Sequence, residues 1–199
     1  MIVWAAGLHW SYSARAWMGF FATMTDGRAL LRHELTWIRQ TPEEAALDVR
    51  AHLEQWKIPA LSYTVANPEL FPSPGDSGPT DAETFRRAGL VLRRGSSDRL
   101  NGWSRLRSWL QPYQGIPNLR IHASCTYFLN TFPTLTSDPQ QPDDLLAVPG
   151  DDYPANGARY YVMSRPVLPK AYTPPLPDDA VGHWVQEVRQ LAVESSPYG

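Results

Sequence analysis

The chain of 199 residues is long enough to bury one continuous core, and its 18 basic and 20 acidic residues nearly balance. With charges so balanced, no overall electrostatic field favours binding to nucleic acid or to a membrane surface. Cys125 is the only cysteine, which excludes a disulfide framework and a thiolate zinc site and favours a buried thiol. No apolar run approaches the roughly 20 residues of a membrane span, and no signal peptide is evident. The sequence therefore predicts a soluble, cytoplasmic protein without a membrane partner.

The first part of the chain predicts a three-stranded antiparallel meander. Apolar runs cover residues 2–8, 16–24 and 29–37, and Asp26-Gly27 between the second and third runs is typical of a hairpin turn. Four tryptophans in this region are expected in the core or on the sheet surface rather than as platforms for stacked bases: Trp4, Trp10, Trp17 and Trp37.

Helix and strand signals alternate after the meander. Thr41-Pro42-Glu43-Glu44 offers a capping hydroxyl, a proline for the first helical turn and a glutamate for a capping box, and the helix should end near Lys57. The later elements are predicted as a strand at 60–66, a helix at 80–88, a strand at 90–92, a helix whose apolar face is Leu100, Trp103, Leu106 and Leu110, a strand at 119–123, and helices at 125–132 and 151–163.

This order predicts an α/β fold with a mixed five-stranded sheet, in which an antiparallel meander precedes parallel strands and helices flank both. Residues 1–165 should form this domain. Residues 166–199 are predicted to be a proline-rich connection followed by a terminal amphipathic helix at 178–194.

Five segments of the second half carry a family resemblance through their order and spacing. They are Asp98-Arg99-Leu100-Asn101-Gly102-Trp103, Pro117 to Cys125, Leu129 to Leu135, Asp138 to Asp144, and Asp151 to Tyr160. They resemble successive segments in the C-terminal nuclease domain of the large terminase subunit of tailed phages, an RNase H-like fold, and the resemblance runs from about residue 2 to residue 165.

The resemblance implies a metal-dependent endonuclease that cuts concatemeric phage DNA. Two Mg²⁺ or Mn²⁺ ions would activate water and stabilise the leaving oxygen, which requires clustered carboxylates. The family carries these acids on the first strand, at the end of the fourth strand and in the last helix. The matching catalytic positions here are Ala5, Asn67, Asp152 and Asn156.

Only Asp152 keeps its acid among those four positions, and Asp151 beside it is the other candidate metal ligand. Tyr153 stands where the family has a histidine. Alanine offers no ligand and asparagine only a neutral oxygen, so we expect the active site to be degenerate and metal binding to be weak or absent.

Three functions stay open at this stage. The chain could be a catalytically impaired domain that keeps a DNA-binding or assembly role, an active endonuclease that recruits neighbouring acids, or a vestigial structural protein. The neighbouring acids are Glu69, Asp143, Asp144 and Asp151. The resemblance implies duplex DNA, the terminase ATPase motor or small subunit, and portal protein as partners, in the cytoplasm of a bacterial host. The chain contains no phosphate-cradling Gly-x-x-x-x-Gly-Lys-Ser/Thr motif, so no ATPase activity is expected from it alone.

A run of arginines between residues 86 and 107 contains one acid, Asp98. Arginine suits phosphate through its bidentate fork, and the alternative is a solvated helix face. The candidate DNA-binding residues are Arg93, Arg94, Arg99, Arg105 and Arg107. The five histidines show no paired metal-ligand spacing and are interpreted as ordinary surface or hydrogen-bonded residues.

Overall fold

A computed structural model describes residues 2–72, 78–113 and 115–165. The opening meander consists of β1 (Val3–His9), β2 (Ala16–Thr23) and β3 (Ala29–Trp37). The elements that follow are α1 (Pro42–Gln55), β4 (Thr64–Ala66), α2 (Asp81–Arg87), β5 (Leu92–Arg94), α3 (Arg99–Leu110), β6 (Pro112–Tyr113), β7 (Ile116–Pro117), β8 (Leu119–Ile121), α4 (Thr126–Thr131) and α5 (Tyr153–Ser164).

The main sheet has six strands in the order β5-β4-β1-β2-β3-β8. Strand β2 is antiparallel to both of its neighbours, whereas the pairs β1–β4, β4–β5 and β3–β8 are parallel. The mixed α/β fold predicted from the sequence is thus confirmed, with six strands in the sheet rather than five. The carboxyl ends of β1, β4 and β5 lie at the same edge, where ligands commonly bind in open α/β sheets.

Each face of the sheet buries its own apolar cluster. One face packs Trp17 and Phe21 of β2 against α3, α4 and α5, and the other packs Met18 and Phe20 against α1 and α2. Alternate residues of one strand therefore serve opposite layers, as the period of two along a strand requires. The protein is a three-layer arrangement of helices, sheet and helices.

Close backbone contact fixes α5 on β1. A Cβ built on Gly7 of β1 would lie 2.2 Å from the carbonyl oxygen of Gly157 in α5. A Cβ on Gly157 would in turn lie 2.5 Å from the indole ring of Trp17. Both glycines are required because no side chain fits between the helix and the sheet.

Most element boundaries agree with the sequence within a few residues, and the differences are local. The capping box of Thr41 and Glu44 is confirmed at the start of α1. The strand predicted at 60–66 is shortened to Thr64–Ala66, and the one predicted at 90–92 lies two residues later. Leu100, which was predicted on the apolar face of α3, is 51% exposed, and Trp109 is buried there instead.

The remaining comparisons with the sequence concern a hairpin, the cysteine, the C-terminal segment and membrane-spanning helices. The β6–β7 hairpin was not predicted. Cys125 is buried, as expected. The predicted proline-rich connection and terminal helix lie outside the described residues. Within the described ranges, no helix has the length and apolar character needed to cross a bilayer.

Candidate functional site

The parallel pairing of β1 and β4 brings His9 and Asn67 together. Leu8 is paired with Ala66, so the next residues of the two strands, His9 and Asn67, emerge side by side at the carboxyl edge. Asn67 is buried, and its Oδ1 accepts a hydrogen bond from the backbone N–H of Trp10 at 2.9 Å. The amide side chain is thereby committed to tying the end of β4 to the end of β1.

The N-terminus of α5 completes this edge. Asp152 is the residue before the first turn, and Asn156 follows one turn later. Both side chains are buried, and Nδ2 of Asn156 donates to Oδ2 of Asp152 at 3.0 Å. The ring of Tyr153 stacks on the His9 imidazole with centroids 3.8 Å apart. Together these contacts place Asp152 and Asn156 beside the ends of β1 and β4.

His9, Asn67 and Tyr153 border a cleft of about 500 Å³. Its lining comes from the ends of β1 and β4 and from α2, α3 and α5, and includes His9, Asn67, Glu69, Asp81, Arg99, Tyr153 and Arg159. We call it the edge cleft. It is the candidate functional site.

The structure does not bring Ala5 to the edge cleft. Ala5 is fully buried in the middle of β1, where it pairs with Phe21, and it packs in the cluster beneath α5. It precedes His9 by four residues, or roughly 13 Å at the rise of a strand. Ala5 is thus the one of the four predicted positions that the structure keeps away from this edge, and His9 is the residue of the first strand that lies there. Matching Ala5-Ala6-Gly7 to a motif missed the point at which the strand ends.

Two guanidinium groups occupy the inner wall of the site. Arg159 of α5 is 1% exposed and donates to Oδ1 of Asn156 at 3.3 Å and to the carbonyl oxygens of Ser96 and Asp98. Arg99 lies at hydrogen-bond distance from the same Asn156 oxygen, at 3.5 Å. The Asn156 side chain is thus neutral and already bonded to cations.

Gly102 of α3 makes room for Arg159. A Cβ on this glycine would lie 2.6 Å from Cδ of the arginine. The guanidinium then stacks over the rings of Trp103 and Tyr160, with its carbon 5.0 and 4.5 Å from the ring centroids. Packing from both sides holds Arg159 in one position.

Asp144 belongs to a structural ion pair with Arg99. Its two carboxylate oxygens share the Nε–H of Arg99, at 3.1 and 2.8 Å, and one of them accepts from the indole N–H of Trp103 at 2.6 Å. These bonds, with the Arg99 charge, hold the pKa of Asp144 below its usual value although burial opposes the shift. The acid is therefore occupied by its neighbours rather than open to a cation.

Burial sets the protonation of His9 and Asp152. Burial, together with the charges of Arg159 and Arg99, lowers the pKa of His9 to about 3, so the ring is neutral at pH 7. Burial raises the pKa of Asp152 to about 6 although Arg99 and Asn156 oppose the shift. Within the described part of the chain, Nδ1 of His9, Oδ1 of Asp152 and Nε of Arg159 have no hydrogen-bond partner. The site thus contains several buried polar atoms that the protein itself does not satisfy.

The other acids considered from the sequence are distributed differently. Asp151 is exposed and accepts a bond from the Tyr127 hydroxyl, and Asp143 is exposed and lies outside the edge cleft. Glu69 lines the cleft and accepts a bond from Nδ2 of Asn67 at 3.2 Å. Across the described residues, no three His, Cys, Asp or Glu side chains are grouped so that they could hold a metal ion.

The five candidate DNA-binding arginines fall into two groups. Arg99 is paired with Asp144, and Arg105 donates to the carbonyl oxygen of Arg165 at the end of α5. Arg93, Arg94 and Arg107 are exposed, and Arg94 also donates to the carbonyl oxygen of Pro68 at 3.1 Å.

Arg93 and Arg94 border a groove of about 420 Å³ on the far side of Tyr160 from the edge cleft. We call it the arginine groove. Tyr63, Ser96 and Ser164 also line it, and none of its lining residues is acidic. The Arg93 guanidinium lies over the Tyr63 ring, 5.0 Å from the centroid.

Comparison with known proteins finds likeness in structure and none in sequence families. The large terminase of a thermophilic bacteriophage is similar with a TM-score of 0.62 and 13% identity, over 80% of this chain and 39% of that one. The P22 large terminase nuclease domain is similar with a TM-score of 0.63 and 13% identity, over 81% of this chain and 79% of that one. This chain has the fold of a large-terminase nuclease domain.

The chain spans about four fifths of the P22 nuclease domain and about two fifths of the large terminase of the thermophilic phage. The latter protein bound to ADP gives the same likeness, with a TM-score of 0.63. No family model and no curated protein matches the sequence. At this identity the likeness establishes the fold, and the chemistry must be argued from the side chains.

Proposed function

We propose that this chain is a terminase-like domain of phage DNA packaging that binds duplex DNA and no longer cleaves it with metal ions. The observation that carries the proposal is the composition of the edge cleft, which lies at the carboxyl ends of β1 and β4. His9 and Asn67 line it with neutral groups, and Asn156 and Asp152 lie next to it in the first turn of α5. The carboxylates that line it, Glu69 and Asp81, belong to no group of acids in the described residues that could hold a metal ion.

The charges of the site do not suit a pair of divalent ions. Two such ions repel each other strongly unless several anionic oxygens surround them. Here the guanidinium groups of Arg99 and Arg159 lie within hydrogen-bond distance of Asn156, so local cations already occupy the neighbourhood. Asp152, Glu69 and Asp81 are not grouped in the described residues so that they could hold a metal ion, and they would have to offset the arginines as well. The poor fit of these residues to a pair of metal ions supports the proposed loss of cleavage.

DNA binding is assigned to the arginine groove and to exposed Arg107. Arginine side chains in a groove without acids favour phosphate, and a hydroxyl from Ser96 or Ser164 adds a neutral donor. Binding of this kind should be independent of sequence and weaken steeply with salt. Arg105, which donates to the Arg165 carbonyl oxygen, serves the fold instead, and Arg99 is paired with Asp144 in the lining of the edge cleft rather than in the arginine groove.

The partners proposed for the domain are a terminase ATPase motor or small subunit and portal protein, in the host cytoplasm. The fold likeness to a complete large terminase, of which the chain spans about two fifths, supports this assignment. The domain would then hold DNA during packaging while another protein supplies the cut or the translocation.

Two measurements on the purified chain test the proposal. Supercoiled plasmid incubated with Mn²⁺ or Mg²⁺ should show no nicking above an EDTA control. Nicking that disappears in Asp152→Ala would overturn the loss of cleavage and establish an active endonuclease instead.

Filter binding of duplex DNA across a salt series tests the binding role. Affinity should fall with salt, and Arg93→Gln with Arg94→Gln should weaken it and reduce the salt slope by about 2. The pair Arg87→Gln and Arg120→Gln removes the same charge at other exposed positions and should have a smaller effect. Retention that does not change with salt, or no retention, would contradict DNA binding and favour a purely structural role.

Rebuilding the carboxylates tests the placement of the site. The triple variant His9→Asp, Asn67→Asp and Asn156→Asp should gain measurable heat of Mn²⁺ binding in calorimetry, since four acids including Asp152 would then face one another. The matched triple with Ala5→Asp in place of His9→Asp should gain less, because Ala5 lies in the core. Equal heats from the two variants would refute His9 as the first-strand position.

A further inference from the structure

The edge cleft has walls of opposite charge. Glu69, after β4, and Asp81, at the start of α2, supply its carboxylates, whereas Arg99 of α3 and Arg159 of α5 supply its cations. Helix α2 packs on one face of the sheet, and α3 and α5 pack on the other. A ligand in this cleft therefore meets acceptors from one layer and cations from the other.

Aromatic rings line the same cleft. Tyr12 is 58% exposed at its mouth, and Tyr153 and Tyr160 lie deeper. The ring of His9 stacks on Tyr153 with an interplanar angle of 17°. His9 therefore covers one face of Tyr153, and exposed Tyr12 is the ring that offers a planar heterocycle a stacking surface. A volume of about 500 Å³ is within the usual range of small-ligand sites.

A buried cation lines the cleft with an unsatisfied donor. Arg159 is 1% exposed, and its Nε has no partner among the described residues. The same is true of Nδ1 of His9. Native structures rarely leave such atoms unpaired, and an ordered water normally satisfies them.

We propose that the edge cleft binds one unpaired nucleotide whose base carries an amino group: cytosine, adenine or guanine. The base stacks on exposed Tyr12, its amino group donates to the carboxylate of Glu69 or Asp81, and its phosphate lies towards Arg99. Aromatic stacking and carboxylate acceptors are the usual means of holding and reading an unpaired base. This inference rests on the proposed DNA-binding function and gives the domain a base-reading site beside the arginine groove.

Thymine differs from cytosine in the group that would meet the carboxylate. It has the same ring size as cytosine but a carbonyl oxygen where cytosine has an amino group, so it would face the carboxylate with an acceptor. The cleft should therefore distinguish dCMP from dTMP although both carry the same sugar and phosphate.

Calorimetric titration with dCMP and dTMP tests this inference. The wild-type chain should bind dCMP at least about fivefold more tightly than dTMP, in line with 1–3 kcal/mol for one base contact. Glu69→Gln together with Asp81→Asn should remove most of that preference. Exposed Glu54 lies on α1 outside the cleft, and Glu54→Gln should leave the preference unchanged.

The outcomes separate this inference from the proposed function. Equal affinities for dCMP and dTMP, or a preference that survives the double variant, would overturn it. Salt-dependent binding of duplex DNA without any mononucleotide binding would overturn it alone, because the arginine groove would still be active. Tighter binding of free L-arginine than of any nucleotide would also overturn it, since the cleft would then suit a cationic side chain of a partner protein.

Discussion

Two carboxylates of this protein, Glu34 and Asp152, differ in how fully their oxygens are hydrogen-bonded. Glu34 on β3 accepts hydrogen bonds from the Trp17 indole at 2.8 Å and from the backbone N–H groups of Tyr127 and Phe128 at 2.7 and 3.1 Å. Asp152 is 4% exposed, yet one of its oxygens has no partner within the described residues. Glu34 joins β3 to the start of α4, whereas Asp152 costs folding free energy. An acid that a fold keeps against its own stability is better explained by function, past or present, than by packing.

The largest expected effect is on the Glu34 side of this comparison. Glu34→Ala should lower the free energy of unfolding by about 3 kcal/mol, because three donors lose one acceptor group. Urea denaturation followed by tryptophan fluorescence measures the change. Glu34→Gln keeps one acceptor oxygen and should lose less, and equal losses from both variants would mean that charge rather than hydrogen bonding matters there.

Asp152→Asn should have the opposite sign. Because burial raises the pKa of Asp152 to about 6, the folded state holds the proton more tightly than the unfolded state. That contribution to stability is complete below pH 3.8, the ordinary pKa, and is lost as the pH rises through about 6. The variant should match the wild type near pH 4 and exceed it by about 2 kcal/mol near pH 8.

Exposed Asp143 is the control for this change, and Asp143→Asn should shift the stability little at either pH. Denaturation midpoints at the two pH values decide the outcome. A loss of stability in Asp152→Asn at pH 8 would show that Asp152 is a structural acid like Glu34.

A smaller effect is expected from His9→Phe, which keeps an aromatic ring against Tyr153. The pKa of His9 is lowered to about 3, so the unfolded state binds its proton more readily. The associated stability is present above pH 6.5, the ordinary pKa, and is lost as the pH falls towards 3. The variant should therefore gain about 1 kcal/mol relative to the wild type at pH 4, discounted for relaxation of the site, and little at pH 7. Thermal unfolding at both pH values measures this, and an equal change at the two would count against titration of His9.

The sequence predicted elements whose signals are local. Asp26-Gly27 lies in the turn between β2 and β3, and the Thr41 capping box begins α1, because turn and cap chemistry act within a few residues. The segment at 60–66 became a three-residue strand, because its length depends on which part pairs with β1. Such pairing is a property of the tertiary structure.

The candidate site was predicted only in part, because one of its positions also depends on strand pairing. Asn67, Asp152 and Asn156 lie at the ends of elements whose limits the sequence indicated well. Ala5 was chosen by a short motif, although the residue that meets Asn67 is His9, because the strand continues four residues further. Only the register between two distant segments, Leu8 with Ala66, reveals that position.

The arginines show a second limit of sequence reasoning. Composition marked Arg99 and Arg105 as equivalent to Arg93 and Arg94, since all lie in one basic stretch. The structure separates Arg99 from the rest, because Asp144 comes from elsewhere in the chain to bind it, whereas Arg105 and Arg94 donate to the backbone carbonyl oxygens of Arg165 and Pro68. Whether a charge is free or paired depends on residues that are remote in sequence.

The contact between Gly7 and Gly157 has a consequence for how the sequence of this protein can evolve. Because the two backbones touch, the spacing between α5 and the sheet cannot widen or narrow with the identity of the groups at the edge cleft. Polar side chains there can be exchanged one after another without disturbing the frame that presents them. The backbone can therefore persist when the chemistry of the site changes, and a new ligand can be accommodated by altering a few side chains.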